Sequence, residues 1–348
     1  MADPIRIALV GAGAFGRKHI SVIAAVPGFV LAGIADPSPA APGLAAAHGV
    51  PWFAEAGAML DAVRPDGAIV VTPNHLHLPH GLLCIQRGVP TIIEKPVADT
   101  PEGGEQLAVA AEKADVPIMV GHHRRHNPIM EAARDVVTSG QLGRIVGVNL
   151  TWLLRKPAAY FDVAWRREPG GGPIMINLVH EVDALRFVVG DIVSLRAMTA
   201  NAMRGFPVED TVAIIVRFAN GALGTVIVSD VAESPWSWEL TSGENPMYPR
   251  QPAGNGMIAG TEGSLSLPHL DLWRHVDQPG TERGWEAPMQ RARVPVATDD
   301  AYHRQLRHFG RVIRREEPPR VTARDAARSL AVCLAVYESA RTGQEVAV

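Results

Sequence analysis

The chain has 348 residues, more than a single hydrophobic core usually organises, so two domains are expected. At 47% hydrophobic, 20% charged and a formal net charge of -3, it is neither a disordered chain nor a polyanion binder, and nucleic acid is not an expected partner. Cys84 and Cys333 lie in apolar helical patterns with no disulfide framework, and neither a targeting segment nor a membrane-length apolar run is read; a reducing, cytoplasmic setting without a membrane partner is expected.

The first element is an apolar run from Ile5 that ends in three spaced glycines, Gly11-Ala-Gly-Ala-Phe-Gly16, and reads as a buried strand turning into a helix. Gly11 allows the tight turn, Gly13 lets a pyrophosphate approach the backbone, and Gly16 lets helix and strand pack closely; Ala14 and Phe15 complete the phosphate-facing turn. A second apolar strand, Val30 to Ala35, ends in Asp36, about 20 residues on, where a ribose-binding carboxylate is expected. A carboxylate there accepts from both ribose hydroxyls and repels a 2′-phosphate, and no Arg or Lys follows between Pro37 and Leu44. NAD is therefore expected, with NADP disfavoured.

Strands and helices then alternate through Val120, with strands at Gly67 to Val71, Thr91 to Ile93 and Ile118 to Val120, which predicts a doubly wound parallel sheet. Ligands of such sheets bind beyond the carboxyl ends of the strands, and two polar clusters fall there: Thr72-Pro73-Asn74-His75-Leu76-His77 and Glu94-Lys95-Pro96. His75 and His77 equally fit a solvated loop, and no spacing of acidic or thiol ligands supports a metal. Lys95 fits either a surface loop or a cleft lysine that polarises a substrate oxygen.

The strict alternation stops at Gly121, which places the domain boundary between 1–121 and 122–348. His122-His-Arg-Arg-His126 reads as a ligand contact or a solvated strand end, and a helix follows from Ile129 to Ser139. A strand from Ile145 to Leu154 leads into Arg155-Lys156-Pro157, Tyr160-Phe161 and Trp165-Arg166-Arg167, an aromatic and basic segment that suits a cleft wall for a sugar or an acidic sugar and equally suits an exposed loop. Pro173 to Val189 reads as a helix whose face away from Leu178, Val182, Leu185 and Val189 carries Asn177, His180 and Asp183 or Ala184. Strands follow from Ile192, with Asn220-Gly221 as a hairpin turn, then a long segment 232–256 that suits a lid or an oligomer contact, and two closing helices, Tyr302 to Arg314 and Ala323 to Arg341. An antiparallel open sheet is the expected second fold.

Gly11 to Gly16, Asp36, Thr72-Pro-Asn-His-Leu-His77, Glu94-Lys-Pro96 and Gly170-Gly-Gly-Pro-Ile-Met-Ile-Asn-Leu-Val-His180-Glu-Val-Asp183 together resemble the glucose-fructose oxidoreductase, inositol dehydrogenase and rhizopine-catabolism (Gfo/Idh/MocA) family. The resemblance implies a nicotinamide-dependent dehydrogenase acting on a sugar, inositol or other polyol, or sugar acid. It implies that Lys95 binds the reacting hydroxyl, that His180 serves as acid or base, and that Asn74, His77 and Glu94 lie by the cofactor. By their position in these segments Thr72, Pro73, Lys95 and Arg166 are expected at the cofactor, and Asn177, Asp183, Arg155, Tyr160 and Trp165 toward the substrate. It also implies a homodimer or homotetramer paired through the open sheet. Many members carry Asp four residues before the histidine; Ile176 stands there in this chain. Relatives that cleave glycosides without net redox change, or that bind NAD without turnover, keep two other readings open.

Overall fold

The computed structural model describes residues 3–276 and 284–348, which form two compact units, 1–126 with 299–331 and 127–298 with 332–348.

The first unit alternates as its sequence does: β1 (Ile5–Val10), α1 (Ala14–Ala25), β2 (Phe29–Ala35), α2 (Ala41–Ala47), β3 (Trp52–Phe53), α3 (Ala56–Val63), β4 (Gly67–Val70), α4 (His77–Gln86), β5 (Thr91–Ile93), α5 (Pro101–Ala114) and β6 (Ile118–Val120). All six strands are parallel, in the order β3-β2-β1-β4-β5-β6. Strands sandwiched between helices are apolar on both faces, and β1, β4, β5 and β6 are accordingly buried almost end to end. The order reverses between β1 and β4, and that switch point opens the crevice in which ligands of such sheets lie.

The second unit begins with α6 (Pro128–Thr138) and β7 (Ile145–Leu153), followed by α7 (Val179–Val188), β8 (Ile192–Ala200), β9 (Thr211–Phe218), β10 (Leu223–Ser229), α8 (Trp238–Ser242), β11 (Gly256–Gly260), β12 (Ser264–Leu267), β13 (Asp271–His275) and β14 (Met289–Arg293). With the terminal strand β15 (Val346–Ala347) these build a nine-stranded sheet, antiparallel except where β7 and β10 run parallel. Asn220-Gly221 forms the expected hairpin between β9 and β10, Gly221 taking a φ of 89° that the turn requires. Alternate residues such as Val148, Leu150, Trp152, Val212, Ile214 and Val216 point into one core with α6 and α7. The opposite face exposes Ile215, Leu223, Ile227 and Met257.

Two helices complete the chain, α9 (Ala301–Ile313) and α10 (Ala323–Thr342). The single cut expected at residue 122 sends both to the second domain, whereas α9 and the start of α10 group with the first. The physical reason is apolar: Leu306, Phe309 and Val312 pack with Ile5, Ile7 and Ile34 in one core of the first unit. The segment 232–256, read as a lid or oligomer contact, is anchored by α8, whose Trp238 is buried in the core of the second unit and donates to Glu244 Oε2 at 2.8 Å. The cluster 122–126 is a buried helical turn rather than a solvated strand end, with His123 stacked on Tyr302 at 4.4 Å.

Candidate active site

At the end of β1 the glycine turn has the tightness that its sequence requires. Gly11 has a φ of +100°, and a Cβ on it would meet Val71 O at 2.7 Å; a Cβ on Gly16 would meet Gly11 O at 2.3 Å. Gly16 is thus needed because α1 begins almost on top of the turn. A Cβ on Gly13 would meet nothing within 4 Å, so its bare backbone faces open space. The helix has no side-chain cap and no acidic residue in its first turn, which leaves its N-terminal N–H groups available to an anion. Ala14 and Phe15 stand in that first turn, Phe15 about half exposed.

Asp36 follows β2, and both of its oxygens are held: Oδ2 accepts from Ala12 N–H at 2.6 Å and Oδ1 from Ser38 N–H at 2.7 Å. Burial pushes this carboxyl up, but the hydrogen bonds from Ser38 and Ala12 outweigh it and hold it below the usual carboxylate range. A cavity of about 770 Å³ within the first unit is lined by Gly11, Gly13, Asp36, Thr72, Pro73 and His80, among others. A ribose carboxylate, a bare glycine and uncapped helix N–H groups around one cavity fit a nicotinamide dinucleotide.

The two strand-end loops beside this cavity are tied together. The His77 ring is buried, with Nδ1 2.6 Å from Pro96 O and Nε2 2.8 Å from Thr72 O, so the solvated-loop reading fails for it while holding for the exposed His75. Burial lowers the pKa of His77, so near neutral pH the ring carries one N–H and donates to one of these carbonyls at a time. Thr72 Oγ1 also meets His80 Nδ1 at 3.2 Å, while Pro73 and Asn74 are exposed.

Glu94, at the end of β5, is buried. Its Oε1 lies 2.9 Å from His19 Nε2 on α1, and its Oε2 accepts the Lys95 backbone N–H at 3.2 Å. Burial pushes the carboxyl up, but the contact with His19, together with nearby Lys95 and His123, brings it net below its usual value. Gly121 makes the space, since a Cβ there would come within 2.8 Å of the carboxylate. Lys95 is half-buried, and its bond to Pro96 is cis. His19 carries no motif signal of its own; its position on the strand-facing side of α1 was the available clue.

In the second unit the glycine run 170–172 opens the helix. A Cβ on Gly171 would meet Trp165 O at 2.2 Å, and one on Gly172 would meet Glu209 Oε1 at 2.3 Å. Glu209 Oε1 in turn accepts from Ile174 N–H at 3.0 Å and from Tyr337 hydroxyl at 3.2 Å. The expected continuous helix is a π-helical segment, Ile174–Leu178, running into α7. This wider turn, of a kind common at functional sites, lies under Ile176 and Asn177. His180 and Asn177 are half-buried, whereas Asp183 is buried in the helix's packed side.

Of the aromatic and basic segment, Trp165 is exposed, Tyr160 is half-buried, and Arg166 lies over the Tyr160 ring at 4.0 Å while donating Nη1 to Tyr160 O at 2.8 Å. Arg155 is two-thirds exposed and pairs with the more exposed Glu233. Its neighbour Lys156, not singled out from the sequence, is buried and donates to Asn177 Oδ1 at 2.9 Å. The signal for it was parity: 148, 150 and 152 face the core, and the pairing of Leu154 N–H with Ser229 O and Lys156 N–H with Asp230 O extends that alternation past the strand.

Comparison with known proteins agrees with both halves. Residues 5–122 match the family model described as "Oxidoreductase family, NAD-binding Rossmann fold", and residues 134–348 match "Oxidoreductase family, C-terminal alpha/beta domain". The chain is 31% identical over 228 residues to the rhizopine catabolism protein MocA of Rhizobium meliloti, covering 64% of this chain and 70% of that one. It is 30% identical over 289 residues to the 1,5-anhydro-D-fructose reductase of Ensifer adhaerens, covering 80% and 78%. The WlbA dehydrogenase of Bordetella pertussis, solved in complex with NADH and UDP-GlcNAcA, superposes with a TM-score of 0.78 at 25% identity over 99% of each chain. The chain belongs to the Gfo/Idh/MocA family and is a nicotinamide-dependent oxidoreductase.

Proposed function

We propose that this protein oxidises a secondary hydroxyl of a sugar, inositol, other polyol or sugar acid, with NAD in preference to NADP. The observation that carries the reading is the placement of Lys95: it follows β5, on the carboxyl edge of the sheet that also bears the glycine turn and Asp36, with its backbone held by a buried carboxylate. Bound nicotinamide supplies the hydride acceptor. Lys95 donates to the reacting hydroxyl oxygen and stabilises the negative charge that develops on it, and His180 takes the proton at a ring nitrogen. The preference for NAD rests on the Asp36 carboxylate, which accepts from ribose hydroxyls and repels a 2′-phosphate. The exposed apolar face of the nine-stranded sheet supports pairing of subunits into a homodimer or homotetramer, and two buried, unbridged cysteines suit a reducing cytoplasm.

The test is NADH absorbance with a panel of inositols, aldoses, sugar acids and glycosides. Lys95→Met should keep NAD affinity within about threefold and lose turnover by a factor of ~10²–10³. Full activity in that variant sinks the assignment. Ile176, in place of an acidic residue, favours a second reading, an NAD-binding sensor; that version binds NAD and forms no NADH from any panel member.

A further inference from the structure

The Lys156 ammonium lies 2.9 Å from Asn177 Oδ1 and 3.6 Å from Asp230 Oδ2, with the rings of Tyr160 and Trp152 against it at 4.7 and 5.7 Å. Lysine has only N–H groups to offer, so this contact decides which end of the Asn177 amide faces it. Oδ1 accepts, and the NH2 end is turned away. Among the described residues nothing accepts from that NH2, and Asn177 keeps access to solvent. An aspartate on this turn would present an acceptor; here the turn presents a donor.

Two further cations surround the same place. Arg166 lies over the Tyr160 ring that Lys156 also contacts, and its Nε is buried with no partner among the described residues. Arg204 takes Asp230 Oδ1 at 2.9 Å, so the one carboxylate beside Lys156 is shared. The other acids nearby are engaged: Glu239 by the Trp152 indole N–H at 2.7 Å, Glu209 by Ile174 and Tyr337, and Asp210 by the N–H groups of Met203 and Arg204. Among the described residues the Arg166 guanidinium thus meets no carboxylate and the Asn177 NH2 no acceptor.

We infer that Lys156, Asn177 and Arg166 form a carboxylate-recognising subsite, so that the substrate is a sugar or polyol acid rather than its neutral counterpart. This deepens the dehydrogenase reading and rests on it for turnover, though not for binding. The test pairs D-glucuronate, D-galacturonate and D-gluconate with their uncharged primary amides on the NAD-loaded protein, reading NADH formation and, by saturation-transfer NMR, ligand binding. Expected is an at least tenfold advantage of acid over amide, reduced below threefold in Asn177→Asp and in Lys156→Met while NAD affinity is unchanged. Amides as good as acids, or an advantage that both variants keep, overturns the subsite. Acid binding with this dependence but no NADH upholds the subsite and removes the dehydrogenase reading; no binding of any acid overturns the subsite itself.

Discussion

At the carboxyl end of β1 the groups turned to the cavity are mostly backbone N–H groups, left over by a helix start and kept bare by glycine. At the start of α7 the donors left over sit on side chains, the Asn177 amide held by Lys156 and the Arg166 guanidinium by the Tyr160 carbonyl and ring. The first kind of site needs particular residues only where a side chain must be missing, so it is compressed into a dozen positions. The second needs a converging set drawn from β7, the segment after it, the π turn and β10, and its parts carry no fixed spacing. A backbone site tolerates change at the residues between its glycines; a side-chain site loses its chemistry at any member.

That contrast breaks most sharply at Gly16. Gly16→Val puts atoms where Gly11 O already stands at 2.3 Å, so turn and helix must part. NAD affinity should fall on the order of 100-fold, the binding equivalent of about 2–3 kcal/mol of overpacking. Equilibrium fluorescence titration reads it, and a tenfold smaller loss would mean the turn yields without disturbing the phosphate contacts.

Glu94→Gln removes a buried carboxylate that serves both His19 and the Lys95 backbone, at a cost of about 2 kcal/mol, or roughly 4–8 °C in Tm. Glu94 has its folded pKa held below the usual 4.5, so its contribution is fully present above about pH 4.5 and is lost as the pH falls through the folded value. The Tm gap between wild type and variant should therefore be flat from pH 7 to about 5 and narrow only under stronger acid. A gap that widens below about pH 4.5 reverses the sign and removes the Glu94 carboxylate as its source.

Asp36→Asn keeps an acceptor at the ribose position and deletes the charge. NADP should gain roughly tenfold on NAD in relative affinity, as expected when one close like-charge repulsion is relieved. An unchanged ratio would assign cofactor choice to residues other than Asp36.

Much of the first unit was legible because its constraints are local. Strand-helix alternation, the glycine spacing and an acid at the end of the second strand each follow from neighbouring residues, and the parallel order 3-2-1-4-5-6 is the one such alternation commonly adopts. The return of α9 to this unit was not legible, since the helix's apolar stripe states that it packs but not on which core. In the second unit the alternation of β7 to β10 and the Asn220-Gly221 turn foretold the antiparallel sheet. The π turn did not announce itself, because the sequence from Ile174 to Leu178 satisfies an ordinary helix as well. What favours the wider turn includes Glu209 on the Ile174 N–H, a contact over 35 residues of chain. Charge does not separate Arg155 from Lys156, whereas strand parity carried past Leu153 turns Lys156 to the side of residues 148, 150 and 152.

Lys156 gives the finest test of the comparison, because a donor aimed by side chains must carry its charge into a place that resists it. Burial lowers its pKa to about 8, with Asp230 opposing the shift and Arg204 adding to it. In the unfolded chain the amine holds its proton to about pH 10.5. Between pH 8 and 10.5 the unfolded state thus binds more protons than the folded one, and stability rises with pH across that window. Lys156→Met lacks this rise, so the wild type should gain on it by up to about 3 kcal/mol from pH 8 to 10.5, the linkage of the separation between those two values. Thermal melts of both proteins across that range read the difference. A rise of the same size in Asn177→Ala would show only that Lys156 is buried. If loss of Oδ1 instead enlarges the rise, the Asn177 carbonyl is what keeps the ammonium charged, as a donor locked onto Oδ1 demands.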